Sequence, residues 1–225
     1  MIEIIGSWIL FSGKQKRINR TRFRVFSTLV VLSALLFGGL FSQNTKAEPP
    51  QTMESVLDSG LGSMNVDEMR KGATQGHAAA QTWLGAMYEY GKGVPQDYSQ
   101  AAFWYRKAAD QGYAPAQIYL GTMYATGKGM PQDFSQSTAW FRKAAEQGDA
   151  EAQTKLGISY SMGYGVPQDY SQAYMWVNLS ASTGFKDGII VRNMIMKKMT
   201  PSQIEEGQKL TREWIAQHPQ VHITQ

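Results

Sequence analysis

A block of 36 residues written three times governs what this chain can fold into. Gly93-Val-Pro-Gln-Asp-Tyr98 returns as Gly129-Met-Pro-Gln-Asp-Phe134 and again as Gly165-Val-Pro-Gln-Asp-Tyr170. In that register 77–112 and 113–148 agree at 22 of 36 positions, which fixes the frame beyond chance. The third copy, 149–184, keeps the frame and drifts in its second half. A half repeat, 65–76, precedes them, because Met69-Arg-Lys-Gly-Ala-Thr-Gln-Gly76 matches Tyr105-Arg-Lys-Ala-Ala-Asp-Gln-Gly112. A period of this length specifies stacked supersecondary units, none of which can bury its apolar face alone. The predicted fold is therefore all-α, a solenoid of helix-turn-helix repeats.

Each unit reads as two helices. Ala80-Gln81, Leu84-Gly85 and Tyr88 fall on one helical face. Gly91 and Gly93 then stop the first helix, and Pro95 sits in the connection, where it costs no helical hydrogen bond. Asp97, Asp133 and Asp169 are positioned as N-caps of the second helices, and a glutamine three residues on makes each a variant capping box. Gly112, Gly148 and Gly184 end those helices. Gly85, Gly121 and Gly157 fall mid-helix, where glycine costs about 1 kcal/mol relative to alanine. Paying that cost three times points to a close helix–helix approach. Trp104, Trp140 and Trp176 recur at one point of the second helix and are expected to form a core ladder. Beyond Gly184, 185–225 reads as C-terminal capping helices: Thr200-Pro-Ser-Gln203 opens a last amphipathic helix carrying Ile204, Leu210, Trp214 and Ile215.

The N-terminus follows a different grammar. A basic stretch from Lys14 to Arg24 runs into 17 apolar-rich residues, Val25 to Phe41, and small residues follow up to Ala47. The segment 1–47 is thus a signal peptide cleaved near Ala47, for a periplasmic or secreted protein, or an uncleaved anchor in the inner membrane with the repeats facing the periplasm. Residues 48–64, with Glu48-Pro-Pro50 and Gly60-Leu-Gly62, form a linker.

Charge and composition then remove several function classes. The whole chain is basic, with 22 Lys and Arg against 18 Asp and Glu, but seven bases and one acid lie in 1–47. The remainder holds 15 bases and 17 acids, with no excess of cations for a phosphate backbone, so nucleic acid is not an expected partner. The chain has no cysteine and three scattered histidines, His77, His218 and His222, which leaves no thiolate or histidine-rich metal site. No cofactor is expected.

The pattern Ala-x-Ala-Gln-x-x-Leu-Gly-x-x-Tyr, then Gly-x-Gly-Val-Pro-Gln-Asp-Tyr, then Trp-Tyr-Arg-Lys-Ala-Ala-x-Gln-Gly resembles the Sel-1-like repeat family, over roughly Asn65–Gly184. The family is a relative of tetratricopeptide repeats. The resemblance implies a right-handed α/α superhelix acting as an adaptor or scaffold, often exported in bacteria. One extracellular branch, with a cysteine pair in each repeat, is associated with β-lactam binding or hydrolysis; this chain lacks those cysteines, so the activity does not carry over.

The expected function is a non-catalytic protein- or peptide-binding scaffold in the cell envelope, working through a groove lined by the first helices. Positions that differ between repeats mark that groove: Trp83, Tyr119 and Lys155; Thr82, Ile118 and Thr154; Ala86, Thr122 and Ile158; Tyr90, Thr126 and Met162. Exposed aromatics there would anchor a partner of unidentified sequence. The alternatives are a cell-wall-associated enzyme, β-lactamase-like or peptidoglycan-related, and a structural spacer without a dedicated ligand. Against the enzyme, the repeated aspartates are accounted for as caps, and Gly91-Lys-Gly93 lacks the spacing of a phosphate loop.

Overall fold

The computed structural model describes residues 66–219, and among them every regular element is an α-helix. The leader 1–47 and the linker 48–64 lie outside the described residues. The helices are α1 (Val66–Thr74), α2 (Ala78–Tyr90), α3 (Tyr98–Ala109), α4 (Ala114–Thr126), α5 (Phe134–Glu146), α6 (Ala150–Met162), α7 (Tyr170–Ser182), α8 (Lys186–Met196) and α9 (Pro201–Gln217). The pairs α2–α3, α4–α5 and α6–α7 are the three repeats, and α1 is the surviving helix of the half repeat. Each first helix packs on its own second helix and on the second helix of the unit before it, so one core runs through the stack.

Local chemistry explains the repeated motif word by word. Gly91, Gly127 and Gly163 close the first helices in the left-handed conformation, with φ of 67°, 71° and 74°. The glutamine of Pro-Gln-Asp folds back on the helix just ended: Nε2 of Gln96, Gln132 and Gln168 donates to the carbonyls of Glu89, Ala125 and Ser161 at 2.7–2.8 Å. The aspartate then caps the helix about to begin, each carboxylate accepting from two backbone N–H groups, as Asp97 does from Ser99 and Gln100. The expected second arm of a capping box is not used there. The backbone N–H of Asp97, Asp133 and Asp169 is already donated to Tyr88, Tyr124 and Tyr160 in the preceding helix, at 2.9–3.0 Å, so Gln100 and its counterparts have nothing to cap. The reciprocal box forms at Thr200 and Gln203, at the start of α9. The second loop glycine has a steric role: a Cβ on Gly129 or Gly165 would overlap the backbone carbonyl of Tyr98 or Phe134 in the previous repeat.

The mid-helix glycines mark close contacts, as expected, and they locate the real core ladder. A Cβ on Gly85 would lie 2.8 Å from the Tyr105 ring, one on Gly121 2.8 Å from the Phe141 ring, and one on Gly157 would collide with Val177. Tyr105, Phe141 and Val177 are fully buried and form the ladder. The tryptophans sit one residue earlier, turned about 100° around the helix. Trp140 and Trp176 are buried there, but Trp104 is only half-buried beside the exposed Phe103. The expected tryptophan ladder is therefore incomplete at its first rung.

A ladder of glutamines ties the repeats together at the opposite end of the helices. Buried Gln81, Gln117 and Gln153 donate to the carbonyls of Ala73, Ala109 and Ala145, near the ends of the preceding second helices. Gln111 Nε2 reaches back to Gln81 Oε1 at 2.6 Å, and Gln147 Nε2 to Gln117 Oε1 at 2.9 Å. The next position in the period is Thr183, too short to continue, and Gln153 Oε1 is left buried without a partner among the described residues. Beyond it α9 packs directly on α7. Gly207 permits this, since a Cβ there would lie 2.8 Å from the Tyr174 ring, and Trp214 meets Trp176 edge-on with centroids 5.8 Å apart.

Candidate functional site

The predicted groove positions separate into two groups once their burial is known. Ala86, Ile118 and Ile158 are buried among the helices and offer no surface to a partner. Thr82 and Thr154 are buried too, their hydroxyls donated one turn back to the Ala78 and Ala150 carbonyls at 2.8 and 3.0 Å. These residues differ between repeats because neighbouring units fill the space differently, and difference between repeats does not require exposure. Trp83, Tyr90, Tyr119, Thr122 and Lys155 remain half-buried, as do Thr126 and Met162.

Trp83, Tyr119 and Lys155 occupy one position in successive first helices, and the fold gives that position a second duty. Tyr119 stacks on Tyr105 of the preceding repeat, with centroids 5.1 Å apart and planes 17° apart. Lys155 likewise lies over Phe141, its Nζ 5.8 Å from the ring centre, while pairing with Glu151 at 3.4 Å. Trp83 packs against the core cluster that holds Tyr105. Each side chain covers the inter-repeat seam with one face and turns its remaining surface outward.

The electrostatics of this surface come from residues that sequence reasoning passed over. Tyr105 donates its hydroxyl to Glu89 Oε2 at 2.9 Å, and burial first, then Glu89, pushes that phenol well above its usual range. Tyr119 is also pushed above the usual phenol range, by burial and then by Glu151, Tyr90, Glu89 and Asp149. Burial raises the Asp149 carboxyl as well, against the hydrogen bond it accepts from Ala152 N–H at 2.9 Å. Tyr119 thus stands in the field of three carboxylates, Glu89 of α2, Glu151 of α6 and the α6 N-cap Asp149, with Glu151 already paired to Lys155. Glu89 and Glu151 do not recur in the other repeats, and that departure from the pattern was their only signal in the sequence. Flat rings supply contact area and the carboxylates favour a cationic partner.

The loops are occupied with stacking. Lys128 lies over the Tyr98 ring at 5.2 Å, and Tyr164 stacks on Phe134 at 4.8 Å. Arg106 and Arg142 donate to the hydroxyls of Tyr124 and Tyr160 in the next repeat. Among the described residues no group of three His, Asp or Glu side chains is placed to hold a metal ion.

Comparison with known proteins places the repeats in a wider set. The Sel1 repeat model matches residues 78–113, 114–149 and 150–185. A Sel1 repeat protein from Oxalobacter formigenes is 34% identical, with a TM-score of 0.53; the match covers 57% of this chain and 96% of that one. A protective antigen present in uropathogenic Escherichia coli strains, displaying an SLR fold, is 29% identical, also with a TM-score of 0.53. That match covers 74% of this chain and 45% of the antigen, so the chain spans less than half of the antigen's length. No curated protein matches the chain.

Proposed function

The chain belongs to the Sel1-repeat family, and from that premise we propose that it is a non-catalytic scaffold holding a protein or peptide partner against the face of α2, α4 and α6. Sel1-repeat proteins are generally helical scaffolds that mediate protein–protein interaction. The observation that carries the finer reading is the setting of Tyr119: a half-buried ring stacked on Tyr105, one repeat on from Trp83, and within the field of Glu89, Asp149 and Glu151, of which Glu151 is paired with Lys155. A basic segment of an extended polypeptide suits such a surface. The basic stretch before the apolar run at 25–41 supports an envelope location, and N-terminal sequencing of the mature protein tests it: a start near Glu48 fits export, and a start before Val25 in a membrane fraction fits the anchor.

The test of the binding face is affinity capture from an envelope extract, comparing the chain with a Trp83→Ala, Tyr119→Ala variant. Losing a central aromatic anchor weakens binding by about 2 kcal/mol or more, roughly thirtyfold. Because Tyr119 stacks on Tyr105, the variant loses about 0.5–1.5 kcal/mol from that ring pair in addition to the area both rings bury, so its melt is recorded alongside. Undiminished capture by a folded variant would remove this face as the binding surface.

A further inference from the structure

The geometry points to a second binding locus, away from α2, α4 and α6: a pocket among α5, α7 and α9 that accepts an arginine side chain of a partner polypeptide. It has a volume of about 340 Å³ and is walled by Met175 and Trp176 of α7, Leu210 and Trp214 of α9, and His218. Glu146 and Glu213 bring two carboxylates from different helices, and Gln172 and Gln217 add amides; no Lys or Arg lines it. Neither carboxylate forms an ion pair within the described residues. The site therefore has net negative charge beside aromatic walls.

The period of the sequence shows what is missing there. In the first repeat Lys107 lies over the Trp104 ring at 5.4 Å, and in the second Lys143 lies over Trp140 at 3.8 Å. The third repeat keeps the tryptophan as Trp176 but carries Leu179 where the lysine would fall. Two tryptophans of the series thus have a cation built in, and the third has carboxylates around it in place of one. The Trp176 indole N–H, buried and without an acceptor among the described residues, belongs to the wall of this pocket and reports on what fills it.

Arginine answers both the carboxylates and the aromatic walls. Its planar guanidinium pairs with carboxylates in two-pronged fashion, lies against aromatic rings, and sheds water more readily than an ammonium group. Its methylene stem suits the Met175 and Leu210 surface. The site rests on the reading of the chain as a scaffold for polypeptide partners, but it is a separate locus with its own test.

The full chain, ¹⁵N-labelled, is titrated with N-acetyl-arginine methylamide, and with the citrulline compound as its uncharged isostere. The readout is the Trp176 indole N–H resonance, assigned by its loss in Trp176→Phe. The arginine compound should shift it saturably, and the citrulline compound should bind at least about fivefold more weakly, as two lost charge pairs require. The Glu146→Gln, Glu213→Gln variant should show the same weakening, and the Trp83→Ala, Tyr119→Ala variant should respond as the parent does. Equal responses to both compounds, no saturable shift, or unchanged affinity in the double glutamine variant would each overturn the site. Failure here leaves the α2, α4 and α6 face untouched, because that face is scored by capture.

Discussion

Replacing Thr183 by glutamine should stabilise this protein, by completing a ladder that the third repeat abandons. The backbone is already suited: Thr183 has φ and ψ of −79° and −4°, against −81° and −2° for Gln147 at the same place in the second repeat. A glutamine in that conformation can reach Gln153 Oε1, as Gln147 reaches Gln117 Oε1 at 2.9 Å. A buried unpaired acceptor costs about 1–3 kcal/mol, which the new bond would relieve. Against it stand the freezing of a glutamine side chain, up to about 1.5–2 kcal/mol when fully immobilised, and the lost bond from Thr183 Oγ1 to the Ser180 carbonyl. The new amide would also donate to the Leu179 carbonyl, as Gln147 does to Lys143 at 3.2 Å, which replaces the lost threonine bond and leaves a net gain of up to about 1 kcal/mol, at most roughly 2–4 °C in Tm for a chain of this size. Urea unfolding followed by far-UV circular dichroism reads it as a raised midpoint. The reverse change, Gln147→Thr, should lower the midpoint by orphaning Gln117 Oε1. The decisive arm is a double-mutant cycle with Gln153→Ala. If Thr183→Gln raises the midpoint equally when Gln153 is absent, or fails to raise it at all, the ladder is not the source of the effect.

Three further outcomes follow from the same geometry. Gly157→Ala should destabilise the third repeat despite a helix-propensity gain of about 1 kcal/mol, because its Cβ would strike Val177 and lie 3.0 Å from the Ala173 carbonyl; a raised unfolding midpoint would contradict the close approach. Trp140→Ala should cost about 3–5 kcal/mol in denaturant unfolding, whereas Trp104→Ala, half-exposed, should cost clearly less; equal losses would mean both rings are core. Burial raises the Asp149 carboxyl above 3.8, so the folded state holds that proton more tightly than the unfolded chain, and the stability it gives below the ordinary aspartate range is lost as pH rises through the folded value. Asp149→Asn keeps an N-cap acceptor and should match the parent in acid and exceed it near neutrality, a divergence that melts recorded across acidic and neutral pH would detect; parallel profiles would refute it.

The period, the helix stops and the aspartate caps were legible from the chain alone, because each depends on residues a few positions apart. Gly91 must end a helix and Asp97 must start one whatever surrounds them, since the interactions that decide this are made within a single turn. The close helix approach was also readable, from the repeated mid-helix cost of Gly85, Gly121 and Gly157. Which side chains fill the space across from those glycines was not. Trp104 and Tyr105 recur with the same period, and one residue of rotation about the helix axis decides that Tyr105 is sealed in the core while Trp104 stays half open. Ala86, Ile118 and Ile158 vary between repeats as a surface would, yet they are buried, because the packing of adjacent units fixes volume jointly and not position by position. Glu146 of α5 and Glu213 of α9 stand 67 positions apart in the chain and share one pocket wall. A repeat pattern records what each unit shares with the next, whereas Glu89, Asp149, Glu151 and Glu213 have no acidic counterpart in it, and only the stacking of helices brings them to Tyr119 and Trp176.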